Sequence, residues 1–176
     1  KYIQRRGIQL GAIGRYMGET DAGLYSGETS FEFLPNDKQT KTNRDFLNES
    51  ELRRIIAKDI DIERLQTVRD IFIFCSFTGL AFTDVKHLKA EHIVQADDGR
   101  WWIRKAREKT DNMCDIPLLD IPRLILEKYK SRPGYSERGF LLPVPSNQRM
   151  NGYLKEIADI CHIKKKLSTH IARHTF

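Results

Sequence analysis

The chain has 176 residues, 40% hydrophobic and 31% charged, which suffices for one domain with a real core and a small appendage. No apolar run approaches membrane-spanning length, "FIFCSF" at 72–77 being far too short, so no membrane role is expected. Lys and Arg exceed Asp and Glu by 30 − 24 = 6 and the pI is about 9.3, a balance that favours a polyanionic partner, nucleic acid above all.

The stretch 1–17, "KYIQRRGIQLGAIGRYM", is basic and apolar but lacks an apolar segment followed by small residues, so it reads as no secretion signal. It reads instead as a weak helix carrying Ile3, Ile8, Leu10 and Ile13. It has no initiator Met, and the chain is expected to be a piece of a longer one. Residues 18–44 are rich in Gly, Ser, Thr and Asp and have the composition of an extended linker. The expected division is 1–33 as the tail of a preceding domain with the start of a linker, 34–43 as linker, and 44–176 as the main domain.

Helix signals then sharpen. In "NESELRRII" Asn48 is the N-cap and Glu51 stands at the third helical position, a capping box. Leu65, Val68, Phe72 and Cys75 mark one buried face, and Gly79 stops that helix. A short helix is predicted over 83–90, capped by Thr83 or Asp84. "HIVQAD", "RWWIRKAR" and "MCDIPLL" read as three short strands, with Asp98-Gly99 as a tight turn and "EKTDN" (108–112) as the next. Trp101 and Trp102 alternate faces, so one is expected in the core. Asp120 opens a helix that Pro133-Gly134 ends. Met150, Tyr153, Leu154, Ile157 and Cys161 form one stripe of a further helix, and Ser168 caps the last segment. The fold class is therefore mainly α with a small three-stranded antiparallel sheet.

Cys75, Cys114 and Cys161 form no CxxC pair and no metal spacing, and all three are expected to be small buried thiols of a cytoplasmic protein. "STHIARHTF" (168–176) is more informative. If Ser168 caps a helix, His170 and Arg173 share a face and His174 lies one turn after His170. Guanidinium and imidazole together suit an oxyanion, one as a bidentate donor and the other as a proton shuttle. Basic residues at a helix end are also common for reasons unrelated to chemistry. A zinc reading fails, because Ile171 stands where HExxH needs glutamate.

"HIARHTF" resembles the HxxRH motif of the tyrosine recombinase (phage integrase) family, and "FTGLAFTDVKHL" its TGLRxxEL segment. "IRKAREKTDNMCDIPLL" resembles that family's hairpin with a lysine in the turn and a terminal Pro-Leu. The likeness runs from about Arg44 to Phe176 and is greatest to integrases of conjugative and mobilisable transposons. It implies that 44–176 is a catalytic domain incomplete at its C-terminus, and that 1–33 ends a SAM-like core-binding domain. It implies DNA strand exchange through a covalent 3′-phosphotyrosine, without metal or cofactor.

In that likeness Arg173 clamps the scissile phosphate, His170 shuttles or donates a proton, and Lys109 protonates the leaving 5′-oxygen; Lys105 and Arg107 compete with Lys109. Asp84 matches the family's acidic residue, which supports the fold or orients an arginine. Ala81 stands where the family has its first arginine, and Arg69 is the expected replacement, with Arg104 and Arg107 as alternatives. An ion pair with Asp70 is the competing role for Arg69. Arg104, Arg107, Lys164, Lys165 and Lys166 are expected DNA contacts. Tyr129, Tyr135 and Tyr153 precede HxxRH, so none matches the nucleophile, and the chain alone is expected not to cleave DNA. The implied partners are duplex DNA at attachment sites, sister protomers in a tetrameric synapse, and an accessory DNA-bending protein, in a bacterial cytoplasm. A non-catalytic DNA-binding regulator on the same fold is the second hypothesis, and a helical RNA-binding domain, supported by charge alone, the third.

Overall fold

The computed structural model describes residues 45–130 and 139–176. The expected terminal helix, the linker at 34–43, the Pro133-Gly134 stop and Tyr135 lie outside them.

Helix α1 (Glu49–Ala57) opens on the predicted capping box. Asn48 Oδ1 accepts from Glu51 N at 2.8 Å, and Glu51 Oε2 accepts from Asn48 N at 2.8 Å. Helix α2 (Glu63–Thr78) is buried without a break from Val68 to Thr78. A helix apolar on every side belongs at the centre of a fold, and α2 packs against α1 and three later helices. Two of its buried hydroxyls bond within the helix: Ser76 Oγ donates to Phe72 O and Thr78 Oγ1 to Phe74 O, at 3.0 and 2.8 Å.

Gly79 ends α2 with φ +64°, and its N–H donates to Cys75 O at 2.9 Å. That is the left-handed cap glycine tolerates best. Helix α3 (Phe82–Lys86) starts earlier and ends sooner than predicted. Asp84 does cap it, but from inside the first turn, where Oδ2 accepts from Ala81 N at 3.4 Å. A 3₁₀ turn at Ala90–His92 follows.

Strands β1 (Ile93–Gln95), β2 (Trp101–Ala106) and β3 (Met113–Pro117) form an antiparallel sheet in that order. Ile103 and Lys105 face inward and Arg104 outward, as alternation demands. The sheet is small, and this corrects two expectations. Neither tryptophan is core: Trp101 is 36% exposed beside an apolar groove, and Trp102 is half-buried. Cys114 is half-buried on a sheet-edge strand, where Arg107 Nε donates to its Sγ at 2.8 Å. Cys75 and Cys161 are buried as expected, and burial pushes the Cys75 thiol up to about 12.

Helix α4 (Asp120–Lys130) carries Pro122 in its first turn and buries Ile121, Ile125 and Tyr129. Helix α5 (Asn147–Ile160) buries the predicted Met150, Leu154 and Ile157, with Cys161 just beyond and Tyr153 half-buried. Helix α6 (Thr169–Thr175) is capped by Ser168, whose Oγ accepts from Ile171 N at 3.2 Å. Among the described residues no helix is long and apolar enough to cross a membrane.

Asp70 ties α2 to α4. It is fully buried, and its Oδ2 accepts from Lys128 Nζ at 2.7 Å and Tyr129 Oη at 3.0 Å. Removing one partner of a buried charged network leaves the others without compensation. Asp70→Ala is expected to lower the unfolding free energy by about 3–5 kcal/mol in urea titrations, and Tyr129→Phe by about 1–3 kcal/mol. A loss below about 1 kcal/mol for Asp70→Ala would contradict this account.

Candidate functional site

The two separated motifs meet at the end of α2. A Cβ placed on Gly79 would lie 2.6 Å from Phe176 Cδ1, so the ring seats directly on the glycine. Phe176 follows α6, which packs along α2. Thr175 fixes the same helix from its other side: its Oγ1 accepts from Leu47 N at 3.0 Å and donates to Ile171 O at 2.8 Å. Arg173 precedes Phe176 by three residues, near the end of α6. His170 is exposed, and Arg173 and His174 are half-buried.

The hairpin joins the same turn from another direction. Asp84 accepts at Oδ2 from Ala81 N and at Oδ1 from Glu108 N, at 3.4 and 2.9 Å. One carboxylate thus binds the family-like TGL segment to the turn that carries Lys109. That turn closes with Arg107 O accepting from Asp111 N at 2.9 Å, and Asp111 takes φ +54°. Lys109 is exposed at its tip.

Below the turn sits a charged cluster. Lys105 is 7% exposed, and its Nζ lies 2.7 Å from Glu108 Oε1. His87 Nδ1 is 3.6 Å from the same oxygen. The Lys105 hydrogen bond holds the Glu108 carboxyl below the usual carboxylate range. Burial, and then the Lys105 charge, hold His92 below the ordinary imidazole value. Lys105 faces inward on β2, and the sequence gives no sign that Glu108 would meet both Lys105 and His87.

Arg69 lies in the interior of the fold. It is 7% exposed, its Nη1 donates to Lys58 O, and its Nε lies 3.4 Å from Asp70 Oδ1. It sits ten residues before Gly79, about 15 Å along the helix axis. The guanidinium thus has partners at the α1–α2 connection, and the ion pair with Asp70 that competes with the phosphate role is present. Lys165 Nζ reaches Glu51 Oε2 at 2.7 Å and Phe46 O at 2.9 Å. Arg104 pairs across the sheet with Asp115 at 3.0 Å, on the exposed face. Lys164 and Lys166 are exposed. Lys166 lines a cleft of about 550 Å³ with His170 and His174, joined by Asn151 and Lys155 of α5, which the sequence reading missed. Asn151 and Lys155 are one helical turn apart, a spacing that marks a shared face but not what the face meets.

No family model matches the sequence, and no curated protein matches it. Solved structures do. The chain is similar to XerH site-specific recombinase bound to difH substrate in a pre-cleavage complex, with 16% identity and a TM-score of 0.57 over 74% of this chain and 41% of that one. The post-cleavage complex of XerH with palindromic difH gives 16% and 0.59 over 79% and 43%. XerA recombinase gives 18% and 0.53 over 81% and 50%. The fold is that of the tyrosine recombinase catalytic domain, mostly helical with a three-stranded antiparallel sheet. The chain spans half or less of the length of each of these proteins.

Asp84→Ala is expected to free the hairpin from α3. Amide exchange at Glu108 and Ala81 should accelerate while α2 core amides stay protected, and Asp84→Asn should keep most of the protection. Unchanged exchange at Glu108 in Asp84→Ala would remove Asp84 from this role.

Proposed function

We propose that the chain belongs to a site-specific DNA recombinase, an integrase of a mobile genetic element, that cuts and rejoins DNA through a 3′-phosphotyrosine. The observation that carries this is the docking of "HIARHTF" on "FTGLA" through Phe176 and Gly79, within a recombinase-like fold. A phosphoryl centre under attack gathers negative charge on its equatorial oxygens, and fixed cations stabilise it without reorganising. Arg173 would grip two non-bridging oxygens as a planar fork. His170 would donate to or shuttle a proton at the same phosphate, and Lys109, at the tip of the tethered hairpin, would protonate the leaving 5′-oxygen. Lys164, Lys166 and Arg104 would meet flanking phosphates. Tyr129 is buried against Asp70, and Tyr153 is half-buried on α5 upstream of the HxxRH-like motif, so neither is proposed as the nucleophile.

Duplex attachment-site DNA is the proposed partner, with sister protomers completing a tetrameric synapse and an accessory protein bending the DNA. The XerH structures were solved with a DNA substrate of that protein, which supports the choice of DNA over RNA. Ala81 favours a second reading, a regulator that binds DNA on this fold without cutting it, because a methyl group offers no hydrogen bond to phosphate.

Fluorescence anisotropy with a labelled duplex separates these proposals from a chain that does not bind DNA. Binding should weaken with salt, and Lys164→Ala and Lys166→Ala should each reduce the slope of log K against log salt by about one. Lys165→Ala should lower stability instead. Salt-independent binding, or none, would overturn both DNA readings.

A further inference from the structure

The two imidazoles of α6 form one unit. The Nε2 atoms of His170 and His174 are 2.8 Å apart, and the rings meet edge-on at 86° with centroids 4.2 Å apart. At that distance the contact is a hydrogen bond, so one Nε2 carries the proton and the other presents a lone pair. Two protonated Nε2 atoms would repel and have no acceptor between them. The i, i+4 spacing explains the geometry, since it stacks the two side chains on one helix side. Both rings line the cleft shared with Asp45, Lys155 and Lys166, and Arg173 extends from the same helix.

We propose that His174 is a positioning residue for His170. It holds the imidazole through a shared Nε2–H···Nε2 bond and thereby sets which nitrogen of His170 carries a proton toward DNA. When His174 donates, the His170 proton sits on Nδ1. When His170 donates, its own Nε2–H is held by His174 until a phosphate oxygen replaces that acceptor. The pair carries two protons in either state, and exchange between the states moves the shared Nε2 proton and also passes the Nδ1 proton of one ring to the other through solvent, so both rings stay neutral. This role rests on the reading in which His170 meets the scissile phosphate.

The test uses this chain with ¹⁵N-labelled histidines. NMR should show a through-hydrogen-bond coupling between the two Nε2 nuclei. His174→Leu should abolish it and change the proportions of the two His170 tautomers, while His87, His92 and His162 keep their signals and report an intact fold. His174→Gln, whose amide both donates and accepts, should restore the His170 tautomer of the wild type. In the natural full-length protein, His174→Leu should slow covalent adduct formation by about tenfold or more, short of the 10²–10⁴-fold a positioned proton donor supplies, and His174→Gln should recover most of it. Absence of the coupling, or an identical His170 tautomer in wild type and His174→Leu, would overturn the proposal. Full cleavage by His170→Gln would instead overturn the assignment of His170 to the phosphate, with the coupling between the rings left standing.

Discussion

Gly79 is the constraint on which the site depends. It must take a left-handed backbone to end α2, and it must lack a side chain so that Phe176 can seat on it. Those two demands fall on one residue for different reasons. The first lets the chain leave the central helix toward α3. The second lets α6 lie along α2 with its C-terminal end against that exit. A substituent at this position would push the ring away. Since interiors are packed as densely as molecular crystals, little slack exists nearby to absorb the shift.

From this junction the remaining connections follow in two directions. Asp84 carries the Ala81 turn to the hairpin, and Thr175 carries α6 to the segment before α1. Segments far apart in sequence therefore share one small region of the fold. The positive charge of the chain is divided between two tasks. Arg69, Lys105, Lys128 and Lys165 are taken up by carboxylates and carbonyls of the fold. Lys109, Lys164, Lys166 and Arg173 remain at or near the surface where a polyanion can approach. Composition gave the sum of these charges but not the division.

What was legible in the sequence was local. The Asn48 capping box, the Gly79 stop, the Ser168 cap and the stripe through Met150, Leu154 and Ile157 each depend on residues within a few positions of one another. The three strands and their order were readable for the same reason. What was not legible depended on distant partners. Arg69 was expected at the phosphate from the family resemblance, and its bond to a carbonyl eleven positions away was not legible. Lys165 reads like its neighbours in a basic run, and only the return of α1 beside it shows its role. The tryptophans alternate as a strand requires, yet a sheet of three short strands has too little cover to bury either. The motif residues His170 and Arg173 share one helix as read, but the seat of Phe176 on Gly79 needed the fold.

The central claim is the proposal that Arg173, on the helix that leads into Phe176, is a phosphate clamp. The direct measurement is covalent adduct formation on a nicked suicide duplex by the natural full-length protein, wild type against Arg173→Ala and Arg173→Lys. The account predicts an adduct with wild type, a loss of roughly 10²-fold or more with Arg173→Ala, and no full recovery with lysine, which lacks the planar fork. Adduct formation by Arg173→Ala at the wild-type rate would contradict it.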